Sequence, residues 1–545
     1  MGLRLALSGA PGVGKSTTGR VVAEKLGIDF LDLDVLIETT TGLSAADYIR
    51  ANGEAAFRDV EASTLLNVAK THQDAVIALG GGTLTSARGM EAARNFGLLV
   101  HLDAPPAAIA DRLQREPGDR PLLQPSPSPS PSPSSTPSEI ASAALAPSTF
   151  ETKLEALLTR RSRAYRAIDR VISAAGSVDA TASHVLAAVE DVHLVWCSVG
   201  QAQSRVVIGR CLHDALVGAL IRLDPRRPTV IVRDAGVPEK LAQPFLDALT
   251  PLASTGLVDI RLPGGEEGKT WTSLGDILTK AVTAGAGRQS VVIGLGGGAT
   301  CDIAAMASHL LGRGGPTILV PTTLLSQADA SVGGKCAANL PAGRNVVGAF
   351  HPASDVIVDL DFLESLSPEE YASGAAEVLK MGLILDADLF RKVVADRRVS
   401  VASLARAVGH KANIVSRDPF EHGDRKRLNL GHTLAHALES ASNYTLRHGD
   451  AVAIGTAAIA RLSHARGWLG AEEKGEILSG FSAFGLPTTA PDALLQRSSA
   501  FLRADKKGDK DMIDLVTLGG LGTARVMRLS WEEVEGDLMR CGGVQ

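Results

Sequence analysis

Short apolar runs alternate with longer amphipathic stretches through the first two thirds of the chain, a pattern that predicts parallel α/β units. Leu3–Leu7, Ala75–Leu79 and Leu98–Leu102 read as buried strands, and Thr17–Leu26 carries helical periodicity between them. Continuous apolar runs bounded by turn residues suit strands covered on both faces. A second series begins near Arg205, with strands expected at Val206–Ile208, Thr229–Val232, Val258–Leu262, Val291–Gly296 and Thr317–Val320. Beyond Pro368 the apolar spacing changes to three and four residues with few turn signals, which predicts helices. Pro125 to Pro133 fits neither pattern, because serine alternates there with proline. Such a segment lacks backbone donors and favours an extended, solvated chain. Related chemistry on both sides makes it an insert over 125–138 rather than a linker. The expected division is an α/β domain at 1–190, a second α/β domain at 191–367 and an α-helical domain at 368–545.

Composition narrows the class. A chain of 545 residues exceeds what one hydrophobic core organises. Hydrophobic residues at 45% and charged residues at 21% suit a soluble globular protein. The net charge of −5 gives no basic excess, so nucleic acid is not an expected partner. No apolar run reaches the roughly 18 residues that a membrane helix needs, so no membrane is expected either. Cys197, Cys211, Cys301, Cys336 and Cys541 are scattered without C-x-x-C spacing and read as reduced thiols. With no signal-peptide anatomy at the start, the expected location is the cytoplasm.

The first chemistry-bearing motif is Gly9-Ala10-Pro11-Gly12-Val13-Gly14-Lys15-Ser16-Thr17, a full match to G-x-x-x-x-G-K-[ST] placed between a strand and a helix. Backbone N–H groups from Gly12 to Thr17 wrap nucleotide phosphates, Lys15 offsets their charge, and the Ser16 hydroxyl reaches magnesium. Downstream, Asp32-Leu33-Asp34 ends an apolar strand, Phe57-Arg58-Asp59-Val60-Glu61 sits on a helix, and Gly80-Gly81-Gly82 follows a strand. A carboxylate orients a hydroxyl or a magnesium shell, and an arginine clamps a carboxylate. In this order, and with Asp119-Arg120-Pro121-Leu122-Leu123 and Arg161-Ser162-Arg163-Ala164-Tyr165, residues 1 to about 175 closely resemble shikimate kinase. The resemblance implies that Asp34, Arg58, Gly80, Gly81 and Arg161 bind shikimate, Asp34 also holding the attacking hydroxyl. Ser16 and, through water, Asp32 would serve magnesium. Lys15 and a lid residue, Arg120, would stabilise the transferring phosphoryl group of ATP. The chain departs from the family in the insert between Arg120 and Arg161. It departs again at Ser173–Ser177, which lacks the arginine that often stacks on adenine.

The second constellation starts at Gly296-Gly297-Gly298-Ala299-Thr300-Cys301-Asp302 after a strand, where glycines allow a pyrophosphate close to the backbone. Pro321-Thr322-Thr323, Asp329 to Lys335, Gly343-Arg344-Asn345, Glu377 with Lys380, Arg425 to His436, and His448-Gly449 follow. From chemistry alone, His432 and His436 lie at i and i+4 on one helical face and read as a metal-ligand pair, with His448 and Glu377 enlarging the cluster. Together these motifs closely resemble 3-dehydroquinate synthase over about residues 200 to 540. The resemblance implies a different ligand set, Glu377, His432 and His448, holding zinc or cobalt, and makes His436 a residue that supports the ligands or handles a proton. It implies NAD bound by Asp234, Glu266, Lys269, Gly297, Gly298, Asp302, Thr322, Thr323, Lys335, Arg344 and Phe362. It implies a pocket for 3-deoxy-D-arabino-heptulosonate 7-phosphate made by Asp329, Lys335, Asn345, Lys380, Lys411, Arg425 and Asn429. Arg313, supplied from a partner subunit, and Lys506-Lys507 would meet the phosphate. Lys335, Lys380 and His436 would be catalytic. The implied reaction oxidises a substrate alcohol, eliminates phosphate, returns the hydride and closes a carbocycle. Arg344 stands where the family commonly has lysine, and Ala299 replaces a usual valine.

The expectation is therefore a bifunctional enzyme of the shikimate pathway, which serves aromatic amino-acid biosynthesis. A P-loop kinase domain precedes a two-part synthase, a Rossmann-like NAD-binding domain and a helical metal and substrate domain. Its partners would be small molecules, and the resemblance implies a homodimer through the synthase half. Two alternatives stay open at this stage. The C-terminal half could be another sugar-phosphate cyclase, or one half a degenerate regulatory or scaffolding module.

Overall fold

The computed structural model describes residues 3–115, 150–224, 226–252, 256–502 and 511–543. The Ser-Pro insert, Arg120 and Lys506-Lys507 lie outside the described residues. Two compact units divide the chain, Met1–Glu190 with His213–Asp224, and Asp191–Leu212 with Pro225–Gln545.

The first unit is built on strands β1 (Arg4–Gly9), β2 (Asp29–Asp32), β3 (Ala75–Ala78), β4 (Leu98–Asp103) and β5 (Arg170–Ser173), in the order β2-β3-β1-β4-β5. All neighbours pair in parallel. The inner strands are the apolar runs of the sequence, buried on both faces because helices cover them. Phe57, Leu65, Ile77, Phe96 and Leu99 share one core. The helix after β1 runs Lys15–Leu26, two residues earlier than its periodicity predicts, because Gly14 with φ of 101° serves as its N-cap. Gly12 has φ of 79°, and a Cβ there would lie 2.5 Å from Leu113. Only glycine meets both demands of this turn.

The second unit holds a seven-stranded sheet of β6 (His193–Val199), β7 (Ala202–Gly209), β8 (Thr229–Asp234), β9 (Leu257–Leu262), β10 (Val291–Gly296), β11 (Thr317–Pro321) and β14 (Asp355–Asp359). The order is β6-β7-β14-β11-β10-β8-β9, and only β6 runs antiparallel to its neighbour. The strands expected from the second apolar series are all present. β14 is a wholly buried strand in mid-sheet, three apolar residues between Asp355 and Asp359, that the periodicity reading passed over. Between β11 and β14, a hairpin of β12 (Lys335–Leu340) and β13 (Gly343–Phe350) forms its own two-stranded sheet.

From Pro368 onward the chain is mainly helical around one large apolar core. Helix Pro368–Leu385 starts with a capping box, Ser367 with Glu370, and proline in its first turn. It is buried all round from Ala372 to Ile384, so Glu377 and Lys380 are carried into the interior by their neighbours. One departure from the all-helical expectation is a hairpin of β15 (Met512–Leu518) and β16 (Ala524–Ser530). Leu515, Val516 and Leu518 join the helical core, and the three- and four-residue spacing from Met512 to Leu515 and Val516 reads as helix, which hid the strand. Among the described residues no helix is long and apolar enough to cross a membrane.

Phe96 is fully buried in the core of the first unit. Phe96→Ala is expected to destabilise that unit by about 3–5 kcal/mol through lost transfer energy and a cavity. Trp196, Trp271, Trp468 and Trp531 all belong to the second unit. In urea, circular dichroism should therefore record an earlier transition while the tryptophan-fluorescence midpoint stays in place.

Candidate active sites

In the first unit, the loop after β1 folds around its lysine, whose Nζ donates to the carbonyls of Gly9 and Ala10 at 3.0 and 3.1 Å. Ser16 Oγ donates to Asp32 Oδ2 at 2.6 Å, which joins the two residues expected to serve magnesium. Asp32 also caps the next helix by accepting from the Asp34 backbone, and this fixes Asp34 in the first turn. Burial and then the Asp32 carboxylate raise the Asp34 carboxyl above its usual range, against Lys15 and Arg58.

Arg58 is held by Glu61 at 2.6 Å and Glu54 at 2.7 Å, and Thr83 donates to the other Glu61 oxygen at 2.6 Å. Its guanidinium lies so close to Gly82 that a Cβ there would come within 2.2 Å of Nη2. Arg161 Nη1 and Tyr165 OH both donate to the Gly81 carbonyl at 2.7 Å. Pro11 of the phosphate loop flanks the same glycine. Asp34, Arg58 and Arg161 thus converge on Gly80–Gly82 from three segments.

Several residues of this site were not singled out from sequence. Glu61 anchors Arg58. Arg112 donates to the carbonyls of Val13, Ala174 and Gly176, which ties the phosphate loop to the stretch that lacks the expected arginine. His101 faces Ser8 at 3.1 Å and stacks on Tyr165 with ring centroids 4.7 Å apart. Burial, helped by Lys15, pushes His101 down to about 4, so it is neutral at physiological pH. Its strand pairing with Ser8 in the β1–β4 register was the available signal.

In the second unit, β10 ends at Gly296 and a helix starts at Gly298. A Cβ on Gly296 would lie 2.7 Å from Thr300 Cβ and 2.8 Å from Asp234 Cβ, so glycine lets these segments close together. Thr322 N donates to Gly296 O at 2.9 Å, which sets the Thr322–Thr323 turn beside the glycines. Lys269 bridges Asp302 at 2.5 Å and Asn345 at 2.6 Å, and Glu266 accepts from Asn339 at 2.5 Å. Arg344 approaches Glu266 to 4.0 Å. Phe362 is buried with its ring against Phe245.

Glu377, His432 and His448 place one ligand atom each within 4.8 Å of one another. Both histidines are the first residue of a helix. Gly431 precedes one of them with φ of 78°, where a Cβ would meet Thr456 at 2.5 Å. His432 Nδ1 is 3.1 Å from Leu430 O and His448 Nδ1 is 3.2 Å from Glu439 Oε1, so both Nε2 atoms turn towards Glu377. Glu377 Oε2 pairs with Lys380 at 2.5 Å. Its Oε1 faces the two Nε2 atoms at 3.8 and 3.4 Å and makes no hydrogen bond. A buried carboxylate oxygen without a donor, facing two imidazoles pinned from behind, fits a tetrahedral cation with an open position.

Electrostatics agree with that fit. Burial opposes the charge on Glu377, but Lys380 and the imidazoles overcome it and hold the carboxyl well below its usual range. Burial and Lys380 keep His432 neutral. For His448 burial is outweighed by Glu377 and Glu439, which push it up to about 10 without a cation. His436, expected from spacing to pair with His432 as a ligand, is exposed outside the three-residue group, its ring 5.3 Å from that of His432.

Around this cluster, Lys411 Nζ donates to Asp329 Oδ1 at 2.6 Å, and buried Arg425 donates to Gly333 O at 3.3 Å. Lys335 and Asn429 converge on Glu421, which accepts from both. Glu421 was not anticipated; its place four residues before Arg425 was the only sequence cue. Arg313 is exposed with φ of 70° and joins none of these contacts.

Comparison with known proteins places both halves. The shikimate kinase family profile matches residues 11–190. Profiles for the 3-dehydroquinate synthase N-terminal and C-terminal parts match residues 259–373 and 374–508. The 3-dehydroquinate synthase of Syntrophotalea carbinolica is 37% identical over 342 residues, covering 61% of this chain and 94% of that protein. A solved 2-deoxy-scyllo-inosose synthase, complexed with carbaglucose-6-phosphate, NAD+ and Co2+, shares the fold at 23% identity and a TM-score of 0.58, over 65% of this chain and 100% of that one. ValA, a 2-epi-5-epi-valiolone synthase from Streptomyces hygroscopicus with NAD+ and Zn2+ bound, is 26% identical with a TM-score of 0.56, over 63% of this chain and 98% of that one.

Glu439 touches no expected ligand position except through His448. Glu439→Gln is expected to weaken zinc binding by about 10- to 100-fold, as loss of such partners does elsewhere. Competition against a chromophoric chelator measures it.

Proposed function

We propose a division of labour for a chain that belongs to the 3-dehydroquinate synthase family and carries a shikimate kinase module before it, making a bifunctional enzyme of the shikimate pathway. Residues 1–190 phosphorylate shikimate from ATP. Residues 191–367 bind NAD, and residues 368–545 bind a divalent metal and the heptulosonate phosphate.

In the kinase half, Arg58 and Arg161 receive the acceptor carboxylate, each already oriented by a fixed partner. Asp34, with its raised carboxyl, holds the attacking hydroxyl and takes up its proton. Lys15 swings from the Gly9 and Ala10 carbonyls onto the phosphates, while Ser16 and Asp32 serve magnesium. Arg112 holds the loop from behind. Arg120 completes the charge around the transferring group from outside the described residues.

In the synthase half, Glu377, His432 and His448 would hold zinc or cobalt. Asp234, Glu266, Lys269, Asp302, Thr322, Thr323 and Arg344 would hold NAD beside Gly297 and Gly298. When bound, the metal acidifies the substrate hydroxyl and the dinucleotide accepts and returns a hydride. Lys380 keeps Glu377 ionised and oriented. Lys335, Lys411, Arg425, Asn345 and Asn429 bind the anionic substrate, with Arg313 and Lys506-Lys507 at its phosphate. His436, exposed beside His432, moves a proton to or from substrate. We further infer a cytoplasmic homodimer joined through the synthase half.

The observation that carries this reading is the unbonded Glu377 oxygen facing two imidazoles in the same unit as the glycine crevice. Among related cyclases, dehydroquinate formation is favoured by the higher identity to the synthase relative, 37% against 23% and 26%.

Lys15→Ala is expected to abolish shikimate-dependent ADP formation and leave phosphate release from the heptulosonate phosphate unchanged. His432→Ala should do the reverse. Parallel assays of the full chain with added zinc and NAD test both, and a variant that removes both activities together would sink the division.

A further inference from the structure

Two facing segments of the second unit carry non-glycine residues in the left-handed region. Asn345, Asn443 and Tyr444 have φ of 59°, 52° and 60°. Two consecutive non-glycine residues in the left-handed region, one of them a bulky aromatic, persist only where surrounding contacts impose the conformation. Here the contact is visible. The turn Ser442–Arg447 presents the Tyr444 ring, and the Arg344 guanidinium carbon lies 3.9 Å above its centroid.

Each partner of this stack leads to a different part of the synthase site. On one side, Arg344 approaches Glu266 to 4.0 Å, and its neighbour Asn345 accepts from Lys269 at 2.6 Å while its backbone donates to Asn339 at 3.0 Å. On the other, Tyr444 N donates to Glu439 O at 2.7 Å, and Glu439 faces His448. A guanidinium lies flat on an aromatic face, whereas an ammonium cannot match that contact over its area. The arginine at 344 thereby has a physical reason.

We propose that Tyr444 is a positioning residue for dinucleotide binding: by stacking on Arg344 it holds the β12–β13 hairpin over the NAD crevice and ties it to the metal-bearing loop. This rests on the reading of Arg344 as a dinucleotide contact. The Tyr444 ring meets Arg344, while only its backbone reaches Glu439, so a change of side chain tests the stack.

Calorimetric titration of NAD into the zinc-loaded full chain tests the assignment, with zinc content measured on every variant as the check on folding. Tyr444→Ala is expected to weaken NAD binding by about two- to five-fold, the range for a partly exposed cation–π contact. Tyr444→Phe should restore binding, because the ring face is retained. Tyr444→Ala combined with Arg344→Ala should bind no more weakly than Arg344→Ala alone. If Arg344→Ala weakens NAD binding and Tyr444→Ala does not, or if the two losses add, the positioning role is overturned. If Arg344→Ala itself leaves binding unchanged, the dinucleotide assignment of Arg344 falls, and the positioning role with it.

Discussion

A carboxylate sealed inside a helix core constrains the synthase half more than any other single feature. Glu377 sits among apolar neighbours on a helix buried all round, where an uncompensated charge is prohibitively costly. Lys380, one turn away, compensates one oxygen. The other is left facing two imidazoles whose far nitrogens are already engaged. That arrangement suits a cation between them. It also explains why two helices begin at His432 and His448, since each helix start delivers a side chain to the same point.

Both halves build their sites by the same device. A parallel strand ends at the edge of its sheet, glycine removes the Cβ that would block approach, and a helix N-terminus follows. Gly12 and Gly14 do this after β1, and Gly296 to Gly298 after β10. The chemistries diverge in what the rest of the chain adds. The kinase half adds arginines anchored by carboxylates and a glycine carbonyl, suited to a small acidic acceptor. The synthase half adds a buried carboxylate facing two half-buried imidazoles, a group that fits a metal, with buried Lys380, Lys411 and Arg425 in the same unit.

Most of the fold was legible because parallel strands are written as continuous apolar runs and motif residues as short strings. What escaped is instructive. β14 was missed because its apolar run is only three residues long, Val356–Val358, bounded by Asp355 and Asp359 that are buried with it. β15 and β16 were absorbed into helical surroundings. The glutamates that organise the sites, Glu61, Glu421 and Glu439, were not legible as functional, since each works by gripping another residue rather than a ligand. Arg112 contacts residues about a hundred and about sixty positions away, a relation that no local pattern records. The metal cluster shows the limit from the other side. Spacing on one helix favours His432 with His436, whereas the geometry groups His432 with residues 377 and 448 on other helices.

The double grip of Glu421 on Lys335 and Asn429, together with the Lys411–Asp329 pair, has a consequence for how substrate enters. Lys335 and Lys411 are already paired with carboxylates. An anion bound by Lys335 and Lys411, as proposed above, would trade places with those carboxylates, so its binding would be an ion-pair exchange rather than a net neutralisation. Simple anions gain little from such a trade, because they cannot replace every grip at once. A ligand that presents carboxylate, hydroxyls and phosphate at the right separations can, and the pocket thereby selects for shape through charge it has already spent.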